Sequence, residues 1–401
     1  MRIMIATETF IPSTDGVVTR LTYAAKYLSS RGHNVGIICP HIEGVPLDYG
    51  GARIFPMPAR KFAFYKERAW SLPTKQVEAC LRFFKPDIVH AFNPVSLAAT
   101  AVHYAKKLSI PLICSYHTNV PDYLDVYHFG LLKPLCWWYL RHLHNSAPIN
   151  FTTSKAMKRL LESKGIHNVR VLPIGLDENM RSSKFKNSEM RNFLSGGEVE
   201  KKLLIFVGRL APEKDVESLL PLIKGNQNLR LAIVGGGPLE EELREKFAGT
   251  PTVFTGFLKG EKLAQAFASA DAFIFPSTSE TLGLVLTEAM ASSIPVIATD
   301  SPPTVEQISD GENGLIYQKE NPSSLDNCIK KLEDAQLIEK IVKNGRKFAK
   351  QFSWDRVNQT MLDAYEETLN LYGKNDPHAN LQKQTFVDDL SLYDRWRGHN
   401  R

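Results

Sequence analysis

Two carboxylates, Glu280 and Glu288, lie eight residues apart in the chain and could bind the hydroxyl groups of a ligand. The apolar run before them, residues 272–276, predicts a buried strand, and the segment after them predicts a helix that continues to Ala291. Glu280 would then lie on a strand-to-helix loop, and Glu288 about two turns into the helix. In isolation the pair is equally compatible with a solvated helix start and an exposed helix face.

The start of this predicted helix is also suited to bind an anion. The backbone N–H groups of Leu282, Gly283 and Leu284 would lie at the helix N-terminus, where they lack partners within the helix. Carboxylates beside a phosphate site are useful if they bind hydroxyl groups, because they would otherwise repel the phosphate. The segment therefore indicates a ligand with both phosphate and hydroxyl groups, such as those of a sugar or a ribose.

Two cations and a glycine turn follow two further predicted strands. Arg209 and Lys214 come after the apolar run 203–207, and a turn that contains Gly236 comes after the run 231–234. Open parallel sheets bind their ligands at the carboxyl ends of the strands. Arginine offers a planar fork for phosphate, lysine a mobile charge, and glycine lets the backbone approach a ligand. These strand ends together predict one phosphate-binding edge.

Strands alternate with helices along the chain, which predicts parallel α/β sheets, and 401 residues suffice for two domains. We predict a first domain over 1–176, a polar linker over 177–200, a second domain over 201–352, a helix over 353–372 and a polar tail over 373–401. The first helix would bury Leu21, Ala24, Ala25 and Leu28. The remaining predicted strands are residues 2–6, 35–39, 88–91, 112–115, 151–153, 169–172, 253–256 and 296–298.

These motifs resemble those of the retaining glycosyltransferases with two Rossmann-like α/β domains facing a central cleft, the GT-B fold. The large family concerned includes sucrose synthase and lipid mannosyltransferases, and its signature has two glutamates separated by seven residues. The resemblance covers about residues 1–370. It implies that the helix over 353–372 crosses back to the first domain.

Within that family the chain most resembles the sulfoquinovosyltransferases that make plant and cyanobacterial sulfolipid. The segments that carry this likeness are residues 7–10, 15–20, 85–90, 115–118, 247–250 and 279–285.

The resemblance implies a retaining hexosyltransferase that moves a sugar from a nucleotide-sugar to a lipid acceptor, without a cofactor. The expected reaction transfers sulfoquinovose from UDP-sulfoquinovose to diacylglycerol. One alternative is transfer of mannose, glucose or glucuronate to a lipid or a glycan. A second alternative, from another class, is a catalytically silent donor-binding or membrane scaffold.

The resemblance also implies roles for the charged residues. Arg209 and Lys214 would stabilise the charge that grows on the leaving diphosphate. Glu288 would bind the ribose hydroxyls, and Glu280 the donor sugar near its 3- and 4-hydroxyls. The sequence shows no firm candidate for a covalent nucleophile. We therefore expect a same-face mechanism, in which the leaving phosphate takes the proton of the acceptor.

Several further residues match positions that contact the donor in the family. His117 would donate a hydrogen bond to the donor sugar, and with Arg209, Lys214 and Glu280 it completes the expected catalytic set. Gly16 would approach the diphosphate, and the backbone of Phe257 and Leu258 would bind the base. Arg20 is equally compatible with contact to an anionic donor group, such as a sulfonate, and with a solvated helix position.

The sequence predicts no metal site. His142 and His144 are two residues apart and would face different directions on a helix, so they do not form a ligand pattern with His128. The five cysteines are scattered and odd in number, which is typical of reduced cytosolic thiols. Residues 301–304 (Ser-Pro-Pro-Thr) stand where relatives carry a Gly-Gly loop, and the two prolines lack the backbone N–H donors that such a loop could offer.

The charge is concentrated in one half of the chain. Residues 1–180 hold 21 Lys and Arg but only 12 Asp and Glu, whereas the remainder is slightly acidic. An anionic membrane surface is the expected partner of the basic half, since no nucleic-acid-binding module is present. The chain start does not predict a signal peptide, and no apolar run reaches the length of a membrane span. We therefore expect a cytoplasmic protein that associates peripherally with a membrane.

Two stretches combine basic and aromatic residues, as a headgroup layer requires. We interpret residues 131–144 as core. We interpret the other stretch as the membrane contact, through Lys61, Phe62, Phe64, Tyr65, Lys66, Arg68 and Trp70.

Overall fold

The computed structural model describes residues 1–62, 65–126 and 129–373. The chain divides into two compact units. The first unit holds residues 1–153 and 157–173 together with the chain from Trp354 onward, and the second holds residues 154–156 and 174–353.

Strands and helices alternate in the first part of the chain, as predicted. In chain order they are β1 (Arg2–Thr7), α1 (Gly16–Ser30), β2 (Asn34–Pro40), β3 (Asp48–Tyr49), β4 (Ala52–Met57), β5 (Arg60–Phe62), β6 (Tyr65–Trp70), α2 (Gln76–Phe84), β7 (Ile88–Phe92), α3 (Leu97–Lys107), β8 (Leu112–Tyr116), α4 (Val120–Val126), α5 (Lys133–His144), β9 (Ile149–Thr152), α6 (Lys155–Ser163) and β10 (Val169–Val171).

The second part of the chain repeats this alternation, and one long helix follows it. The elements are α7 (Ser188–Leu194), β11 (Lys202–Val207), α8 (Leu220–Gly225), β12 (Leu229–Val234), α9 (Glu240–Lys246), β13 (Thr252–Gly256), α10 (Gly260–Ser269), β14 (Ala272–Phe275), α11 (Leu284–Ala291), β15 (Val296–Thr299), α12 (Pro302–Val305), β16 (Leu315–Tyr317), α13 (Pro322–Lys331), α14 (Ala335–Ala349) and α15 (Trp354–Tyr372).

The main sheet of the first unit has the strand order β10-β9-β8-β7-β1-β2-β4-β3. Its strands pair in parallel except β3 with β4, and β5 and β6 form a separate antiparallel hairpin. Helix α1 buries Leu21, Ala24, Ala25 and Leu28 completely, as its apolar periodicity predicts. The sequence analysis missed β3–β6, because β3 and the β5–β6 hairpin are short and because Arg53 and Pro56 interrupt the apolar run of β4.

Glu8 occupies the point where the strand order of the first sheet reverses, between β1 and β7. Its carboxylate accepts hydrogen bonds from the backbone N–H groups of Val95, Ser96, Leu97 and Ala98, at 2.8–3.1 Å. These groups open α3 and have no partner within the helix. Glu8 therefore joins the end of β1 to the start of the helix that follows β7.

Helix α15 belongs to the first unit and packs against α1. Trp354, its first residue, stacks on Tyr23 with ring centroids 4.7 Å apart, and Gln359 accepts a 2.7 Å hydrogen bond from the hydroxyl of Tyr27. These contacts fix the chain segment that follows the second unit onto the first helix of the chain.

The sheet of the second unit is entirely parallel, with the order β13-β12-β11-β14-β15-β16. The order reverses between β11 and β14, because β12 and β13 extend the sheet on one side and β14 to β16 on the other. Ligands of open α/β sheets bind at such a switch point, outside the carboxyl ends of the strands. The strand ends after β11 and β14 are therefore the expected centre of the site.

Residues 177–200, predicted as a polar linker, fold into the second unit. They form two 3-10 helices and α7. Arg191 of α7 pairs with Asp271 at 2.9 Å and donates to the backbone oxygen of Ser269. Polar composition alone did not reveal that this segment is held by long-range ion pairs and hydrogen bonds.

The interpretation of residues 131–144 as core is wrong for one side of this segment. Leu140 and Leu143 are buried, as expected, but Leu131 is 98% exposed, and Leu135 and Trp138 are also exposed. The helix has apolar residues on two faces, and only one of them packs on the sheet. Among the described residues, the structure contains no helix long and apolar enough to span a membrane.

We predict that Glu8→Ala destabilises the chain by roughly 2 kcal/mol or more, because four N–H groups lose a charged acceptor. Glu8→Gln should cost less, since its amide oxygen can replace Oε1, which accepts three of the four bonds. Urea unfolding measures both. Glu43→Ala, at an exposed position, is the control. Equal unfolding midpoints for Glu8→Ala and the control would show that Glu8 does not hold α3.

Candidate active site

The loops after β11 and β14 are joined at the switch point of the second sheet. Lys214 forms an ion pair with Glu280, so the predicted phosphate-binding cation contacts the predicted sugar-binding carboxylate. The hydroxyl of Ser277 donates a 2.9 Å hydrogen bond to the backbone oxygen of Glu213. The side chains of Lys214 and Glu280 are both largely buried. The structure thus brings together two residues that are 66 positions apart in the chain.

Arg209 lies at the same strand end and is also paired. Its guanidinium contacts the carboxylate of Glu213 at 2.9 Å, four residues later. Glu213 is nearly fully buried and Arg209 is mostly buried. The pair fixes the guanidinium at the carboxyl edge of β11, the edge at which open parallel sheets bind their ligands.

Glu288 is held by a residue that the sequence analysis did not identify. Arg181 donates to the carboxylate of Glu288 at 3.0 Å and to the backbone oxygen of Met180 at 2.8 Å. Because α11 begins at Leu284, Glu288 lies little more than one turn into the helix, and the expected two turns were wrong. The apolar residues before Leu284 form the loop instead of a first helical turn.

The start of α11 has the geometry that an anion site requires. Gly283 precedes the helix with φ +76°, a left-handed conformation that glycine adopts without strain. It has no side chain to cap the N–H groups of the first turn. Gln307, which is buried, donates to the backbone oxygen of Leu282 and accepts a 2.9 Å hydrogen bond from Thr287. Gln307 therefore holds the loop in which Leu282, Gly283 and Leu284 lie.

The glycine turn after β12 packs against the strand end of β11. A Cβ atom at Gly235 would lie 1.8 Å from the backbone oxygen of Gly208, and one at Gly237 would lie 2.4 Å from that of Leu210. Only glycine fits at these two positions, so their first role is backbone packing rather than ligand approach. A Cβ atom at Gly236 would meet the ring of Phe257 at 2.7 Å.

The segment after β13 places Phe257 and Leu258 beside this turn. The ring of Phe257 is 54% exposed, whereas Leu258 packs against the core of the unit. An exposed aromatic side chain at a strand end can stack on a planar base. The proposed use of their backbone for base binding stays a prediction.

The proline segment after β15 forms a short helix, α12, with Pro302 and Pro303 in its first two positions. Prolines lack the N–H group, so this helix start offers fewer donors than a glycine loop would. The segment is nonetheless tied to the site, because Thr299 donates a 2.7 Å hydrogen bond to the backbone oxygen of Ser277.

His117 lies in the first unit, directly after β8. Its ring stacks on Phe92 with centroids 4.9 Å apart, and its backbone N–H donates to Asn93 Oδ1 at 3.2 Å. Burial holds the pKa of His117 well below its usual value, and the positive charge of Arg20 lowers it further. The imidazole is therefore neutral at physiological pH, which suits a hydrogen bond to a sugar but not a cationic role.

Arg20 is buried, and the alternative of a solvated helix position is wrong. The residue is only 1% exposed, and its Nη1 has no hydrogen-bond partner among the described residues. The guanidinium lies 5.6 Å from the ring centroid of Trp354, and no described carboxylate pairs with it. Burial lowers the pKa of Arg20 to about 10, so the group still carries its charge at neutral pH.

The neighbours of Arg20 do not compensate its charge. His90 is buried and hydrogen-bonded to Ser115 and, at 2.7 Å, to the hydroxyl of Tyr365. Burial lowers the pKa of His90 to about 3, and Arg20 contributes to that shift. His90, like His117, is therefore a neutral side chain beside a buried cation.

Gly16 is the first residue of α1 and is exposed. Asp15 caps the helix by accepting a 2.9 Å hydrogen bond from the N–H group of Val18. A glycine after this cap leaves the helix start open to a ligand, and its contact with the diphosphate stays a prediction.

The predicted membrane contact falls on the β5–β6 hairpin. Phe64 lies outside the described residues, and so do the side chains of Lys61, Phe62, Tyr65, Lys66 and Arg68; Trp70 is half-buried. In the part of the chain that the structure describes, no three His, Cys, Asp or Glu residues are arranged to hold a metal ion.

The sequence analysis did not identify three residues of the candidate site. Glu213 could have been predicted from the sequence, because it lies four residues after Arg209, at the spacing of an ion pair, and next to Lys214. Arg181 lies in the segment taken as a linker, and Gln307 lies beyond the proline segment. Neither Arg181 nor Gln307 belongs to a local pattern, since both act through contacts with distant residues.

Two family models match the chain. Residues 191–348 match the model described as "Glycosyl transferases group 1", and residues 14–179 match "Glycosyltransferase Family 4". Sulfoquinovosyl transferase SQD2 of Arabidopsis thaliana is 36% identical over 351 residues, which cover 84% of this chain and 68% of that protein. A GDP-mannose-dependent alpha-mannosyltransferase of Mycobacterium tuberculosis is 30% identical over 375 residues, which cover 91% and 96%.

Solved structures share the fold. Sucrose-phosphate synthase from Thermosynechococcus elongatus superposes with a TM-score of 0.77 at 19% identity, over 92% of this chain and all of that chain. The likeness shows two Rossmann-like α/β domains of the GT-B type, as the sequence analysis predicted.

We predict opposite effects when either partner of the Lys214–Glu280 pair is neutralised. Inorganic pyrophosphate is the probe, because it has phosphate but no hydroxyl groups. Lys214→Ala should weaken its binding about tenfold or more, since Glu280 is left beside the anion. Glu280→Gln should tighten binding several-fold, because the carboxylate no longer competes for Lys214.

Calorimetric titration measures both affinities. Glu217→Gln is the control, since it removes a carboxylate that is paired with Lys246 on the surface of the same unit. Weaker pyrophosphate binding by Glu280→Gln would contradict the proposed competition.

Proposed function

The chain belongs to the glycosyl transferases group 1 family and is a GT-B hexosyltransferase that uses a nucleotide-sugar, and we propose that it transfers sulfoquinovose from UDP-sulfoquinovose to diacylglycerol. Membership in this family favours an enzyme over the silent scaffold considered above. The relatives named above include both a sulfoquinovosyl and a mannosyl transferase, so the donor must be argued from this chain's own residues.

The buried, uncompensated charge of Arg20 is the observation that carries the proposal. A guanidinium removed from water without a counterion is costly, and chains rarely keep one unless an anion completes the site. No described residue supplies that anion. Sulfoquinovose carries a sulfonate on C6, which stays ionised at physiological pH and offers three acceptor oxygens. We assign the sulfonate to Arg20.

A neutral sugar carries no anionic group of its own that could pair with Arg20. The remainder of the site would serve mannose or glucose equally well, so Arg20 is the residue that favours an anionic sugar. Glucuronate is the anionic alternative, because its carboxylate could also meet a guanidinium. A direct comparison of UDP-sulfoquinovose with UDP-glucuronate distinguishes the two anionic donors.

The second unit supplies the groups that the leaving nucleotide needs. In the proposed reaction the bond between C1 of the sugar and the β-phosphate oxygen of UDP breaks, and the acceptor hydroxyl oxygen bonds to C1. The acceptor proton moves to a phosphate oxygen of UDP on the same face, so the anomeric configuration is retained. Arg209 and Lys214 stabilise the negative charge that accumulates on the diphosphate.

The carboxylates bind hydroxyl groups in this proposal. Glu288 binds the ribose hydroxyls, and Arg181 orients its carboxylate. Glu280 binds the 3- and 4-hydroxyls of the sugar and releases Lys214 to the diphosphate. The N–H groups of Leu282, Gly283 and Leu284 add donors for the phosphate at the start of α11.

The remaining contacts follow from the family resemblance. His117, held neutral by burial, donates a hydrogen bond to the sugar, and Gly16 allows the backbone to approach the diphosphate. The backbone at Phe257 and Leu258 binds the base, with Gly236 beside the ring of Phe257. Diacylglycerol is membrane-bound, so the enzyme acts peripherally at a lipid surface.

A donor comparison with Arg20 variants tests the proposal. The purified full chain is incubated with diacylglycerol vesicles and UDP-sulfoquinovose, UDP-glucose, UDP-glucuronate or GDP-mannose. We expect sulfolipid from UDP-sulfoquinovose and little product from the others. Equal product from UDP-glucuronate would keep the anion contact but change the donor. Product from neutral donors alone would contradict the proposal.

Binding measurements separate the role of Arg20 in recognition from a role in folding. Arg20→Gln should weaken UDP-sulfoquinovose binding about 10- to 100-fold, as loss of a charge-assisted contact does, and leave UDP-glucose binding nearly unchanged. Arg20→Lys, which keeps the charge, should lose less. An equal loss for both nucleotide-sugars would show that Arg20 has only a structural role.

A further inference from the structure

An exposed apolar surface lies on α5 and the turn before it. Leu131 is 98% exposed, Leu135 60% and Trp138 56%, and Leu132 is about equally exposed. Positions 131, 135 and 138 follow one another at helical spacing, so they form one continuous stripe. We call these four residues the α5 stripe. Contiguous exposed apolar residues of this kind mark an interaction surface.

The α5 stripe is not the core face of its helix. Leu140 and Leu143 face the sheet and are buried, and the ring of Trp137 lies 6.3 Å from that of Tyr116. The hydroxyl of Tyr139 donates a 2.9 Å hydrogen bond to the backbone oxygen of Val95. The helix is therefore fixed on the unit by its inner face, and the α5 stripe is presented outward on a rigid support.

A basic hollow adjoins the α5 stripe at Trp138. It is lined by Lys106, Trp138, Arg141, His142, Asn145 and Ser146. Trp138 and His142 stack with centroids 6.2 Å apart, and Lys106 donates to the hydroxyl of Ser146 at 3.1 Å. The hollow thus combines cations, hydroxyl and amide groups with an aromatic edge, which is the composition that suits a lipid headgroup.

The described residues do not neutralise the charges of the hollow. No described carboxylate pairs with Lys106 or Arg141. Three carboxylates of the same unit have other partners: Asp122 and Asp125 pair with Lys133, and Glu78 pairs with Lys107, the residue after Lys106. A net positive charge therefore stays at the edge of the α5 stripe.

We propose that the α5 stripe and the basic hollow dock the first unit onto an anionic lipid bilayer. Leu131, Leu135 and Trp138 enter the boundary between headgroups and acyl chains. Lys106 and Arg141 then contact the headgroup phosphates. A second copy of this chain fits less well, because a symmetric contact would bring the two basic hollows together.

This docking surface differs from the β5–β6 hairpin that the sequence analysis proposed. It rests on the proposed function only in that a lipid acceptor must be reached from a membrane. Vesicle binding is measured without any donor, so its result does not depend on which sugar is transferred. A failed donor screen and a failed binding experiment are therefore distinguishable.

Co-sedimentation of the full chain with phosphatidylcholine vesicles, with and without phosphatidylglycerol, tests the proposal. The triple variant L131Q/L135Q/W138Q should bind vesicles about 100-fold more weakly, because three apolar side chains no longer enter the bilayer. The double variant F193Q/L371Q, which changes exposed apolar residues elsewhere, should bind like the unchanged chain. Both variants should unfold at the unchanged temperature.

The basic hollow has its own test. K106Q/R141Q should reduce binding to the vesicles that contain phosphatidylglycerol about tenfold and leave binding to pure phosphatidylcholine unchanged. Added salt should diminish this difference.

Unchanged vesicle binding by L131Q/L135Q/W138Q would overturn the proposal. Loss of binding in K61Q/K66Q/R68Q beside that result would place the contact on the β5–β6 hairpin. Conversion of a dimer to a monomer by the triple variant, again without any change in vesicle binding, would assign the α5 stripe to a second copy.

Discussion

The ion pair between Lys214 and Glu280 joins the two strand ends on either side of the switch point in the second sheet. It gives each loop a fixed partner, and Ser277 adds a hydrogen bond to the backbone of Glu213. The pair also holds two opposite charges in a partly desolvated environment, where the attraction between them is stronger than in water. A ligand that brings a diphosphate for the cation and hydroxyl groups for the carboxylate can replace this contact without leaving either charge unpaired.

Charge pairing also distinguishes the two units. In the second unit Arg209, Lys214 and Glu288 all have a partner of opposite charge. In the first unit Arg20 is buried beside the neutral side chains of His90 and His117 and has no anion among the described residues. The paired charges thus lie in the unit that is proposed to bind the nucleotide, whereas the unpaired charge lies at the proposed sulfonate contact.

The sequence predicted most strands of the two large sheets, because continuous apolar runs between glycine and polar turns mark buried parallel strands, but it missed β3, β4 and β16. It also predicted that Arg209, Lys214 and Glu280 follow strand ends, and the structure places them after β11 and β14. It could not identify Arg181 or Gln307, whose partners are distant in the chain. Nor could it assign residues 131–144, because apolar periodicity shows that a face is apolar but not whether another element covers it.

A crystal structure of the full chain with UDP tests the central claim most directly, which is that the switch point of the second sheet binds the nucleotide diphosphate. The account predicts diphosphate oxygens within hydrogen-bond distance of the Arg209 guanidinium and Lys214 Nζ, and ribose hydroxyls on the carboxylate of Glu288. A nucleotide bound elsewhere, with the Lys214–Glu280 pair unchanged, would contradict the account.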